Sequence, residues 1–600
     1  MCTAGDCGCI AGARGNSRAV EIRQDKVCSI PGKDWSGQLN CRLCSCPGQS
    51  CGEMALVRST LIAVCLVTAF FRIAVSDEAP VVTVKGGTLR GEYARVKGTE
   101  QVVEAFLGVP FASPPVGPLR FAKPQPALPW KGVRDATHQP NMCLQDSNFI
   151  RLTAEALHFN HTIPPASEDC LYLNVYAPSN LTAGEKAPVM VWIHGGGLMM
   201  GCAAQYDGAV LAAYQGVVVV VIQYRLAILG FFSTGDEHAP GNWGFFDQLA
   251  ALQWVQDNIE SFGGDPKSVT IFGESAGGIS ASILMLSPLS TGLFHKAILQ
   301  SGVATVGTFS QAKLHSVANL AGCSHNATEQ QVQCLRQKTV EDILNATANL
   351  KVFLWGVVDG VFLKKTSEEL LKNKEFLRVP VLMGATDDEF GWLLPMTFSP
   401  PSWDKGMDKQ AVMKTMNFFF PNVAANELIA QEYLRDAQTP EAIRDGFTEM
   451  MGDRFMVLPI IKVAKYYRDA GVPVYLYEFQ HRPEAHKSRP SFVKADHASD
   501  VGFVFGACFF EGSVTVTGNI TTEEDELCRT TMEYWANFAR TGSPNGAGLV
   551  QWPVYGETEE YLKLDLTQSV GQKLRQNRVH FMDVVLPQLL AKLPPSPDAP

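Results

Sequence analysis

Nowhere in the 600 residues is there a basic stripe, a block of like charges, an internal repeat or a low-complexity linker. With 50 Lys and Arg against 60 Asp and Glu, the chain carries a formal charge of −10, and nucleic acid is excluded as an expected partner. Without repeats or linkers, a string of small modules is excluded too, and the reading is one large core with insertions. Charged residues are scarce at 18% against 46% hydrophobic, a balance that suits a deeply buried interior. Past residue 71 no stretch reads as a membrane span. The nearest, "GVVVVVIQYRLAILGFF", is interrupted by Gln223 and Arg225 and is expected to be a buried parallel strand, so no stable membrane insertion is expected.

Cysteine is present but unevenly spread. Eight of the 16 crowd residues 1–53 among Gly, Ser and Arg, without the apolar periodicity that builds a core and without paired C-x-x-C ligands that would hold a metal. Next comes "MALVRSTLIAVCLVTAFFRIAVSDEAP": Met54, Arg58, an apolar run from Leu61 to Phe71, then the small residues Ala74 and Ser76. That is the layout of a secretory leader. The expected organisation is a Cys-rich extension over 1–53 that precedes the effective start at Met54, a signal peptide over 54–76, one domain over 77–590 and a Pro-rich tail over 591–600.

A secretory route predicts an oxidising compartment, in which the seven cysteines beyond residue 77 would mostly pair; their odd number leaves at least one free thiol. N-x-[ST] sequons at Asn160, Asn180, Asn326, Asn345 and Asn519 agree with that route and are the expected glycosylation sites. The ending "PPSPDAP" has no K-D-E-L-like retrieval signal, so secretion from the cell is expected ahead of retention in the endoplasmic reticulum lumen.

Beyond the leader, short β-branched runs ("PVMVWIH", "GVVVVVIQY", "SVTIFG") alternate with helical patterns such as "DQLAALQWVQDNIESF". Strand, loop and helix in repetition predict an α/β fold with a mainly parallel sheet covered on both faces, and sites beyond the carboxyl ends of its strands. In "TIFGESAGGISA", Gly273 to Gly277 spell G-x-S-x-G between such a strand and a helix. The glycines let neighbouring chain approach, the turn projects the Ser275 hydroxyl, and the helix start offers free N–H groups to negative charge. A Gly-rich turn with a solvated serine is the plain alternative; the flanking strand and helix argue against it.

Upstream, "VWIHGGGLMMG" runs from a strand into Gly195, Gly196 and Gly197, whose bare N–H groups suit an oxyanion hole. Gly196, Gly197 and the N–H of Ala276 are the expected donors. A serine nucleophile needs a histidine base oriented by a carboxylate. In "VPVLMGATDDEFGWLL", Asp387, Asp388 and Glu389 all follow an apolar strand, and composition does not choose among them. Of the later histidines, His497 alone lies in a loop of small and acidic residues, "KADHASDVGFVFG", leading into an apolar run.

These stretches, with "FLGVPFASPPVGPLRF", "EDCLYLNVYAP", "GNWGFFDQLAALQWVQDNIESFGGDPKSVTIFGESAGG", "DDEFGWLLP" and "EYWANFARTGSPNG", resemble the type-B carboxylesterases of the α/β-hydrolase fold, and among them the vertebrate liver- and intestine-type enzymes. The resemblance runs from about Pro80 to about residue 585. It implies Ser275 as nucleophile, Glu389 as acid, His497 as base, and disulfides Cys143–Cys170 and Cys323–Cys334, with Cys202, Cys508 and Cys528 left unpaired. It implies hydrolysis of carboxylic esters of hydrophobic small molecules, xenobiotics or lipids, with some amides and thioesters.

One departure stands out: the family usually has glycine after the histidine and glutamate two further on, where this chain has Ala498, Ser499 and Asp500. A non-catalytic adhesion relative is disfavoured because all three triad residues are present. A cholinesterase is disfavoured because residues 144–169 contain no tryptophan to face a quaternary ammonium, and a bile-salt lipase because its tail repeats are missing. Leu198, Met199, Trp392 and Leu393 are expected to line an apolar substrate site, with ordinary core as the alternative. No metal, nucleotide or flavin site is expected, and no cofactor.

Overall fold

The computed structural model describes residues 78–182, 184–306, 315–350 and 354–593; the expected Cys-rich extension, the leader and residues 594–600 lie outside them. Its centre is a sheet of eleven strands. In chain order these are β1 (Glu92–Ala94), β2 (Val103–Pro110), β3 (Tyr172–Pro178), β4 (Ala187–Ile193), β5 (Val218–Ile222), β6 (Gly264–Glu274), β7 (Lys296–Gln300), β8 (Val381–Thr386), β9 (Val474–Phe479), β10 (Glu560–Leu564) and β11 (Ser569–Gln572). Across the sheet they lie in the order β11-β10-β9-β8-β7-β6-β4-β5-β3-β2-β1. Pairings from β5 through β4, β6, β7, β8 and β9 to β10 are parallel, while β1, β2, β3 and β11 join antiparallel at the two sides.

The apolar runs fold as central strands because both faces are covered. Along β4, Val189, Val191 and Ile193 enter one core and Met190 and Trp192 another. Along β5, Val218, Val220 and Ile222 go to the first core and Val219 and Val221 to the second, the period-2 split of a strand buried on both sides. Helix α1 (Trp243–Asn258) packs in the first core and α2 (Ala276–Leu286) follows β6 after one residue. A third apolar cluster gathers helices α3 (Lys409–Phe419), α4 (Val423–Tyr433) and α5 (Pro440–Gly452) around Phe390 and Trp403. The second core is closed by α6 (Thr522–Thr541), capped by Thr521 and Glu524 at its start and by Gly542 in left-handed geometry at its end.

The polar residues that interrupt the apolar run after β5 have partners. Arg225 donates from Nε and Nη2 to Asp247 of α1, at 2.7 Å each, in a fully buried fork. Gln223 donates to the carbonyls of Asn141 and Cys170, at 2.9 and 2.8 Å, anchoring the loop closed by Cys143–Cys170. Cys323–Cys334 is also formed. The expectation for the other three cysteines needs correction: Cys508 and Cys528 are joined, and Cys202 alone is free. Spacing gave no hint of that pair, because Cys528 is brought to Cys508 by α6 folding back on the loop that follows His497. Cys202 is wholly buried, which pushes its thiol up to about 12.

Candidate active site

Segments past the carboxyl ends of three parallel strands carry expected site residues: His194 to Gly197 after β4, Ser275 after its neighbour β6, and Glu389 three residues after β8, which lies across β7 from β6. Ser275 has φ 55° and ψ −123°, a conformation costly to a residue with a Cβ. It is held there from both sides: its N–H donates to Gln300 O at 2.8 Å and its carbonyl accepts from Ile279 N at 2.9 Å. The glycines of the motif are needed for approach. A Cβ on Gly277 would stand 1.9 Å from Ile193 O, and one on Gly273 would stand 2.5 Å from the same atom. The strand-to-helix turn is thus pressed directly against the end of β4, and Gly195 comes against Ser275 Cβ for the same reason.

Among the three consecutive carboxylates, geometry separates the roles. Glu389 Oε2 accepts from His497 Nδ1 at 2.5 Å, while its Oε1 accepts from Ser301 Oγ at 2.5 Å and from Thr386 N at 2.7 Å. Asp387 and Asp388 instead accept from the backbone N–H groups of Ala495 and Lys494, at 3.1 and 3.0 Å, clamping the histidine loop to the loop after β8. Burial pushes Asp387 up to about 7 and Asp388 up to about 6. Asp496 receives Arg489 at 2.7 Å and the N–H groups of Trp392 and Leu393 at 2.9 Å each, so it ties the residue before His497 to the segment after Glu389.

A residue that the sequence reading passed over faces the other side of the ring. Glu274, an unspecified position within G-x-S-x-G, is the last residue of β6 and is buried; its Oε1 lies 3.0 Å from His497 Nε2. Burial pushes Glu274 up to about 8, with the neighbouring acids Asp500, Glu389 and Asp496 adding to it and His497 opposing. Burial alone would lower His497, yet Glu274, Glu389 and Asp496 together raise it to about 10. The two shifts are coupled, and the direction for the imidazole is upward because carboxylates flank both ring nitrogens. The signal for Glu274 was its place at the end of the apolar, buried half of a strand, where a carboxylate needs a partner.

The glycine loop has Gly196 at φ 97° and Gly197 at φ 63°. Among the described residues, the N–H groups of Gly196, Gly197 and Ala276 donate to no protein acceptor. His194 does not face the site: it is buried, stacked on Tyr224 with centroids 4.5 Å apart, and burial lowers it to about 4. Of the four expected lining residues, Met199, Trp392 and Leu393 are half-buried, whereas Leu198 is wholly buried and packs in the first core.

The departure after His497 has a structural account. Ala498 adopts φ 66°, a left-handed conformation that glycine takes without strain and alanine does not. Asp500 Oδ2 accepts from Gln300 Nε2 at 3.0 Å and from Tyr477 OH at 2.7 Å. Since Gln300 also holds the Ser275 N–H, one residue at the end of β7 ties the serine turn to the histidine loop.

Comparison with known proteins agrees along nearly the whole described chain. The model of the carboxylesterase family matches residues 78–582. Carboxylesterase 5A of Canis lupus familiaris is 47% identical over 561 residues, covering 92% of this chain and 97% of that protein. Fatty acyl-CoA hydrolase precursor, medium chain, of Anas platyrhynchos is 46% identical, over 90% and 98%. Cocaine esterase of Homo sapiens is 47% identical, over 86% and 93%.

Proposed function

The chain belongs to the carboxylesterase family, has the α/β-hydrolase fold and is a carboxylic-ester hydrolase, and from that premise we propose that Ser275, His497 and Glu389 perform its two-step acyl transfer to water. Ser275 attacks the ester carbonyl as His497 takes its proton at Nε2. Glu389 holds the ring through Nδ1 and stabilises the imidazolium. The N–H groups of Gly196, Gly197 and Ala276 bind the oxyanion, each donor worth about 3 kcal/mol of barrier. His497 then protonates the leaving alcohol, and water repeats the steps on the acyl-enzyme. In the resting arrangement Nε2 faces Glu274, so release of that contact precedes proton abstraction.

The observation that carries this reading is the 2.5 Å contact from Glu389 to His497 beside a serine held at φ 55°. Hydrophobic small-molecule esters are the substrates we assign, with Met199, Trp392 and Leu393 at the site. Thioesters follow by the same chemistry, and a relative named as a fatty acyl-CoA hydrolase supports including them. The chain passes through the secretory pathway and is secreted, with glycans on Asn160, Asn180, Asn326, Asn345 and Asn519. All five asparagines are exposed, and a relative is named as a precursor. No helix among the described residues is long and apolar enough to cross a membrane.

Replacing Ser275 by Ala is expected to abolish hydrolysis of simple aryl esters and labelling by an organophosphate probe, with the near-ultraviolet circular dichroism unchanged. A covalent adduct mapped to another residue would overturn the assignment.

A further inference from the structure

Behind the histidine loop, away from the glycine loop, lies an open cleft of about 490 Å³, the solvent at its mouth included. One wall is the loop itself, at Ala498, Ser499, Gly502 and Phe503; the others come from Phe159, Val516, Ala485 and the Cys508–Cys528 disulfide, and the exposed residues Asn519 and Ile520 mark its mouth. The lining is mostly apolar. Two features go beyond an apolar gap: Ser499 and His486 of the lining are each 4% exposed, and Ser499 Oγ and His486 Nδ1 have no hydrogen-bond partner. A buried hydroxyl without a partner is costly, and a cleft that ends on it has a place for one polar atom.

The charge of the walls narrows the ligand. No Lys or Arg lines the cleft, and its single acidic side chain, Glu524, is already committed to His481 and to the N–H groups of Glu484 and Thr521. A carboxylate would bring a second negative charge with no cation to meet it. We propose that the cleft is a second binding site, distinct from the ester site, for a neutral apolar molecule with one hydroxyl, an alkanol, whose chain lies along Phe159 and Val516 and whose oxygen meets Ser499 Oγ. Alkanols are the class of leaving group that ester hydrolysis releases. A bound alkanol touches Ala498, the strained neighbour of His497, so occupancy acts on the histidine loop from behind.

The test uses 1-hexanol and the full chain with Ser275→Ala, so that no acyl-enzyme forms and the outcome does not depend on the role given to Ser275. Calorimetric titration is expected to show one saturable site of about millimolar Kd. Ser499→Ala in that background is expected to weaken binding about tenfold, and Ala485→Phe, which fills the cleft, to abolish it. Should Ala485→Phe not fold, as read by circular dichroism, nuclear Overhauser contacts from hexanol to the methyl groups of Val516 and Ile520 decide the same point. Absence of saturable binding, binding indifferent to both substitutions, or a cleft that holds only water would each overturn the proposal.

Discussion

Among the residues around His497, what matters is which atom each carboxylate faces. Glu389 reaches Nδ1, so Glu389→Gln places an amide where the ring needs an acceptor for its proton and favours the wrong tautomer; kcat is expected to fall about 10³- to 10⁴-fold. Asp387→Asn and Asp388→Asn keep an oxygen for the N–H groups of Ala495 and Lys494 and are expected to change kcat by less than about tenfold. Steady-state kinetics on the three variants checks the order, and near-normal turnover of the Glu389 variant would move the role to a neighbour. Glu274 gives a different signature. Its carboxylate helps raise His497 to about 10, and the proposed base would work only when neutral, so activity is expected to rise with pH toward that value. Removing the charge with Glu274→Gln withdraws stabilisation from the imidazolium and lowers its pKa. The rising limb of kcat/KM is therefore expected to move toward acid by about one unit or more; a limb that stays in place would remove Glu274 from the pair. Of these residues, the turn at Ser275 was legible because it imposes glycines on the sequence. That Glu389 and not Asp387 or Asp388 would meet His497 was not legible from composition, since the contact depends on where the backbone points three adjacent carboxylates. Glu274 was hidden as a variable letter inside a motif.

Among elements, the strand and helix patterns were legible because burial on both faces leaves an unbroken β-branched run such as Val218–Ile222, and few structures accept one. The interruption after it was read only as evidence against a membrane span. Its purpose appears once α1 is in place, because Arg225 and Asp247 are 22 residues apart and meet only across the packed core. Cutting Asp247 to Ala strands a buried guanidinium and frees the Arg225 N–H that also donates to it. A loss of about 3–5 kcal/mol in urea unfolding is expected, against a small effect for an exposed pair such as Lys365–Glu375. A cost below about 1 kcal/mol for Asp247→Ala would mean that the core relaxes around the arginine. The disulfide Cys508–Cys528 was illegible for a related reason, as its closure depends on how α6 returns to the histidine loop.

For the whole molecule, family and reaction were legible because the long motifs around the glycine loop, the serine turn and the histidine loop survive almost unaltered. Where the substitution to Ala498 departs from them, the backbone keeps the left-handed φ of 66° that glycine would take, so the geometry persists at the expense of local strain. Cys202 has one more consequence. It is the single free thiol among the described residues, with no exposed surface, and it sits in the loop that follows the glycine turn. A maleimide added to the chain expressed from Asp77 is therefore expected to stay unreacted in native buffer and to couple once when the interior opens. Rate of labelling against urea concentration then gives a clock for breathing of the hydrolytic centre, read without any substrate. Prompt coupling in native buffer would mean that this region opens far below the global unfolding transition, and the esterase would carry its own gauge of that motion.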